Sequence, residues 1–176
     1  RAEHPRSRKC ETRVEPSRLM ISAVHIKEEA GRPLPQAPEM EQAVLGALLI
    51  VPEAWTKVSD ILTAEVFHSE PNRLLYSAAR GMWAKGERVD LLTLTDRMRR
   101  DGLLDVVGGP FYIAQLTNKV ASSANIEYHT RILIEHHIAR SLIFIGHQAE
   151  KEAYDHPSAL DLLDRISTQV SNLYGY

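Results

Sequence analysis

The chain has 176 residues and a net charge of −2, enough for one domain of ordinary size with a tail, and no global basic field marks the whole surface for nucleic acid. A hydrophobic share of 44% and a charged share of 25% are those of an ordinary globule. The single cysteine, Cys10, excludes an internal disulfide or cysteine-built zinc site and favours a reducing, cytoplasmic setting, while no apolar run reaches the roughly 18 residues of a membrane span.

Residues 1–37 set eight Lys and Arg against five Glu, a surplus that leaves −5 for the rest of the chain. This basic leader contains Pro5, Pro16, Pro33 and Pro35 and keeps no apolar period, so it is expected to be disordered. It lacks the apolar centre of a secretory signal, and its glutamates do not suit a transit peptide. A start at Arg1 rather than Met suggests a processed chain or a piece of a longer one.

From Pro38 the period becomes helical. Pro38 suits a first helical turn, Glu39 and Glu41 complement the positive end of its dipole, and Val44, Leu45, Leu48 and Leu49 recur at one-turn spacing. Pro52 opens a second helix with Trp55, Val58, Ile61 and Leu62 expected on its inner face. After Phe67, the run Pro71 to Lys85 places Leu74, Leu75, Ala78, Ala79 and Met82 on one stripe, and Gly86 ends it. Asp90 precedes a fourth helix carrying Leu91, Leu92, Leu94 and Met98, which Gly102 stops.

The next stretch, GLLDVVGGPFYIAQL (residues 102–116), could be a phosphate-cradling loop or a joint between helices. A phosphate loop needs a preceding buried strand and a Lys-Ser or Lys-Thr pair, and neither occurs here. Pro110 also deletes an N–H that could have faced a phosphate. The expectation is a joint: a turn at Gly108-Gly109, then a helix from Pro110 that buries Phe111, Ile113, Ala114 and Leu116.

Asn125 suits the cap of a helix running to about Tyr154, with apolar residues from Ile126 to Ile145 on more than one face. Asp155-His156-Pro157 breaks it. A second helix follows, in which Leu163, Ile166, Val170 and Leu173 step as a narrow coiled-coil seam. The fold class is therefore all-α: a compact multi-helix head over residues 38–121 and an antiparallel two-helix hairpin over residues 122–176. Such a hairpin cannot bury both faces alone, which points to association. The expected surface comprises Ile138, Leu142, Ile143, Phe144 and Gly146 on the first helix, with Leu163, Ile166, Val170 and Leu173 on the second. Gly146 would let backbones approach closely.

No catalytic constellation emerges. His129, His136, His137 and His147 share the long helix without the Glu-x-x-His or His-Glu-x-x-His patterns of metal sites. Ser122 and Ser123 read as caps rather than nucleophiles. Arg97, Arg99 and Arg100 complement a helix C-terminus, although Asp96 and Asp101 would repel a phosphate backbone there. This chain is expected to be no enzyme and to hold no cofactor or metal. The alternative is a stand-alone helical DNA-binding module using the basic leader and the Arg97–Arg100 corner.

Six pieces in fixed order carry a resemblance: PEMEQAVLGALLI, then Trp55, VFHSEPNRLLYSA, GERVDLLTLTDRM, the glycine joint, and SSANIEYHTRILIEHHIARSLI. From Pro38 onward the chain resembles the N-terminal domain of the DnaB-family replicative DNA helicases of bacteria and phages. Asn72 stands where that family commonly has histidine, and His129 where tyrosine is usual. The resemblance implies a helical head and hairpin whose copies pair two by two, three pairs forming a collar on a hexameric ring that acts on DNA. It also implies a collar that receives primase and, in some members, a helicase loader. The parent protein would be an ATP-dependent helicase holding ATP and Mg in a RecA-like motor domain beyond Tyr176. This chain would be the assembly and docking part, with no motor of its own.

Overall fold

The computed structural model describes residues 33–118, 125–155 and 158–175. Of the leader expected to be disordered, residues 1–37, residues 1–32 lie outside the described residues, as do the caps Ser122 and Ser123 and the breaker pair His156-Pro157. The chain divides into Arg1–Pro33 and Leu34–Tyr176, and the second of these is described here. Among the described residues there are seven α-helices, two short 3-10 turns and no strand.

α1 (Pro38–Ile50) has Pro in its first turn and buries Val44, Leu45, Ala47, Leu48 and Leu49. A helix apolar around so much of its girth must be enclosed. It lies in the middle of the head, against α3 (Glu70–Ala84), α5 (Gly109–Asn118) and α6 (Ile126–Asp155). The short α2 (Glu53–Val58) brings Trp55 into the core, where its ring stacks on Tyr76 at 5.9 Å and Trp83 at 5.6 Å. The indole N–H donates to the Leu48 carbonyl (3.0 Å), and the Tyr76 hydroxyl donates to that of Leu62 (2.6 Å), so neither polar edge is stranded.

α4 (Leu91–Arg100) begins with a reciprocal cap. The Asp90 carboxylate accepts from the backbone N–H of Leu92 and Thr93, and the Thr93 hydroxyl accepts from the Asp90 N–H. A 3-10 turn (Ala64–Val66) leads towards α3, and another (Leu173–Gly175) follows α7 (Ala159–Asn172). α6 and α7 pack together at the C-terminal end, while the first half of α6 packs on α1 and supplies Ile126, Leu133 and Ile134 to the head's core.

Four expected inward positions are corrected. Ile61 is exposed because α2 stops at Val58, and in the turn that follows only Leu62 points into the core. Leu92 is exposed because Leu94 and Met98 define the inner stripe of α4, about 200° round the helix from position 92. Phe111 is 73% exposed for the same reason: Ile113 and Leu116 form the buried face of α5, and Ala114 beside them is only half-buried. On α7 the inward seam starts at Leu162, 7% exposed, and not at Leu163, 61% exposed. Leu162, Ile166 and Gln169 face Gln148, Ala149 and Glu152 of α6 across a small cleft.

Candidate association and docking surface

α6 passes through two environments. Its first half belongs to the head, and Ile138 is partly buried against that core. Past Arg140 one face of α6 is open to solvent: Leu142 is 48% exposed and Ile143 is exposed, while Phe144 is half-buried and Ile145 buried. Gly146 is exposed, and a Cβ built there would meet nothing within 4 Å, so no close approach within this chain accounts for it. On α7, Leu163 points outward while Ile166, Val170 and Leu173 are half-buried. The surface also includes Tyr154, Leu160 and Tyr174, which sequence reasoning missed. Leu160 lies three residues before Leu163, a spacing that could have revealed a second, outer stripe.

A buried polar cluster links α1, α3 and α5, and Arg140 ties α6 to the head beside it. Glu41, buried on α1, accepts hydrogen bonds from the backbone N–H of His68 (2.6 Å) and Ser69 (3.3 Å) and from the Asn72 amide (2.8 Å). It thereby caps α3, whose own N-cap residue Ser69 makes no side-chain capping bond. Asn72 in turn accepts from the Tyr112 hydroxyl at 2.7 Å. The Arg140 guanidinium donates to the carbonyls of Pro35 (2.9 Å) and Val66 (2.7 Å). Burial and the positive charge of Arg140 hold His68 and His137 below the ordinary imidazole value. Sequence reasoning assigned Glu41 to a helix dipole. Its spacing of one turn from Leu45 and two turns from Leu48 is the signal that it faces inward.

At the joint, Gly108 has φ +90° and Gly109 +74°, and a Cβ on Gly108 would lie 3.0 Å from the Cβ of Tyr112. Pro110 stands in the first turn of α5. Each arginine of the α4 corner has a carboxylate on or just past its own helix: Arg97 with Asp101 at 2.7 Å, and Arg99 and Arg100 with Asp96. Among the described residues no group of three His, Cys, Asp or Glu could hold a metal ion, and no helix is long and apolar enough to cross a membrane.

Residues 33–135 match the DnaB-like helicase N terminal domain, well over half of the chain. The chain belongs to that family. It is 40% identical over 158 residues to the replicative DNA helicase DnaB of Rhodothermus marinus, covering 89% of this chain and 16% of that protein. It is 38% identical over 137 residues to the replicative DNA helicase DnaC of Bacillus subtilis, covering 77% of this chain and 30% of that one. The chain thus spans less than a third of either relative. The crystal structure of the N-terminal domain of DnaB helicase from Mycobacterium tuberculosis superposes with a TM-score of 0.73 at 27% identity, covering 80% of this chain and 99% of that one. A DnaB-like replicative helicase whose structure was described with its interactions with primase shares the fold, with a TM-score of 0.64 at 24% identity over 78% of this chain and 31% of that chain. The Asn72 amide serves both neighbours, donating to Glu41 and accepting from Tyr112.

Proposed function

We propose that this chain is the collar domain of a replicative DNA helicase, assembling a ring through its hairpin and receiving primase or a helicase loader during DNA replication. The supporting observation is apolar surface left open on both hairpin helices, at Leu142 and Ile143 of α6 and at Leu160 and Leu163 of α7. Scattered exposed leucines mean little, but a helix pair with few groups of its own to bury gains most from a second copy. A two-fold pairing covers both faces symmetrically, and three such pairs would close a hexameric collar. Gly146 then has a reason: a partner helix can approach where no side chain stands. The division proposed is a basic leader over residues 1–37, a head over 38–121 and the association hairpin over 122–176.

ATP hydrolysis, Mg binding and unwinding of DNA are assigned to a RecA-like motor of the parent protein, in the cytoplasm. This chain has no phosphate-loop sequence, which supports a non-catalytic role. Primase is proposed as a partner because the primase-interacting helicase described above has the same fold. The reading as a DNA-binding module is weaker, since the arginines it needs are matched by Asp96 and Asp101.

Multi-angle light scattering tests the proposal. The unmodified chain should form dimers or larger assemblies at tens of micromolar, and Ile143→Glu with Phe144→Glu should yield monomers whose heads keep their helical circular dichroism. A folded monomer from the unmodified chain would reject self-association by this domain.

A further inference from the structure

A groove of about 220 Å³ opens on the head between α3 and the far end of α4. Leu74, Ala78, Gly81 and Lys85 line it from α3, spaced so that they share one helix face. Arg97, Asp101 and Leu103 line the opposite side. Leu74, Ala78 and Leu103 are half-buried against the edge of the core, so the floor is apolar and still reached by water.

Gly81 stands in the interior of α3, yet its φ is not positive and a Cβ there would meet nothing within 4 Å. Neither backbone conformation nor packing within this chain calls for glycine, which weakens a helix relative to alanine. A side chain at this position would stand in the groove and narrow it.

The charges along the rim are unequal. Arg97 donates through Nε to Asp101 at 2.7 Å, which matches one cation to one carboxylate and leaves its terminal N–H groups for another acceptor. Among the described residues no carboxylate pairs with Lys85. Glu87, whose charge reaches Arg97, is not among the residues that line the groove. The space is smaller than the roughly 300–1,000 Å³ that encloses a whole small-molecule ligand, and no aromatic ring lines it on which a base could stack. It suits one or two apolar side chains, and the spare cation calls for a carboxylate beside them.

We propose that this groove docks a short acidic segment of a partner protein. An aliphatic or phenyl side chain enters over Gly81, and a flanking carboxylate pairs with Lys85 and the open edge of Arg97. The residues belong to α3, α4 and the turn after it, so the site goes beyond hairpin pairing and does not depend on it.

The test is selection of phage-displayed random peptides on the unmodified chain, with counter-selection on Gly81→Leu, which fills the groove. Leucine is the better helix former and has room there, so this variant should melt no lower than the parent. Enriched peptides should share a Leu, Ile or Phe flanked by Asp or Glu. A synthetic copy of the most enriched should lose its binding to Gly81→Leu and bind Lys85→Glu about fivefold more weakly. The light-scattering mass of Gly81→Leu should equal the parent's, which separates this test from that of hairpin pairing. No enrichment over the counter-selection, enriched peptides without carboxylates, or equal binding to Gly81→Leu overturns the proposal. Unfolding of Gly81→Leu would mean that the space over Gly81 is not open, and rejects it equally.

Discussion

The Asn72 amide on α3 donates to the buried Glu41 carboxylate on α1 at 2.8 Å, while its carbonyl oxygen accepts from the Tyr112 hydroxyl of α5. One side chain thus links three helices, and Glu41 is its charged anchor. Glu41→Gln turns an acceptor-only group into one with donors facing the N–H groups of His68 and Ser69. Urea denaturation should show a loss of about 2–4 kcal/mol. A histidine can supply one donor and one acceptor, so Asn72→His should retain more stability than Asn72→Leu. Equal stabilities for those two variants would mean that the link contributes little.

The glycine joint offers a graded prediction. Both glycines have φ values that cost a side chain about 1–2 kcal/mol, but only Gly108 has a neighbour in the way, the Tyr112 Cβ at 3.0 Å. Gly109→Ala should therefore cost about 1 kcal/mol and Gly108→Ala clearly more. Melting temperatures in the reverse order would contradict the geometry.

Much of the fold is legible in the sequence because helix ends are written in local chemistry: Pro38, Asp90 and Pro110 at starts, and glycines at stops. Helix phase is harder to read in short elements. α4 and α5 are ten residues each, and a single apolar residue such as Leu92 or Phe111 fits either face until the partners are known. On α7 the adjacent pair Leu162-Leu163 leaves the seam open to a one-residue shift, and it is Leu162 that is buried and faces Gln148 and Ala149 across the cleft. The role of Glu41 was hidden differently. Its partners His68, Ser69 and Asn72 lie 27 to 31 residues along the chain, beyond the reach of any local pattern.

The imidazoles near Arg140 give a pH dependence of definite sign. Burial, with the positive charge of Arg140 beside it, holds His137 below the usual 6.5. Below that pH the unfolded chain binds more protons than the folded one, so stability is full above about pH 6.5 and falls as the pH drops towards the folded-state values. Melting temperature followed from about pH 7.5 to 5 should decline less in His137→Gln than in the parent. Parallel curves would remove His137 from the account.

Leu162 and Leu163 are adjacent but opposite in burial, which separates folding from association. Leu162→Ala empties part of the hairpin's core and should destabilise it by about 2 kcal/mol or more. Leu163→Asp alters exposed surface, so in dilute solution its melting should stay within about 0.5 kcal/mol of the parent. Its effect belongs in light scattering, as a lower mean mass. The opposite pattern, with Leu163→Asp the unstable variant, would restore the seam register read from periodicity.

Copies of this chain are proposed to meet at the hairpin and not at the head. Amide hydrogen exchange, compared between dilute and concentrated solutions of the unmodified chain, tests it most directly, because protection gained on association reports which backbone becomes covered or stiffened. If the hairpins pair, added protection should fall on the amides of Leu142 to Gly146 and Leu160 to Leu163, with those of α2 to α4 unchanged. Protection gained around Leu92 and Phe111 on the head, with the hairpin exchanging equally fast at both concentrations, would contradict it.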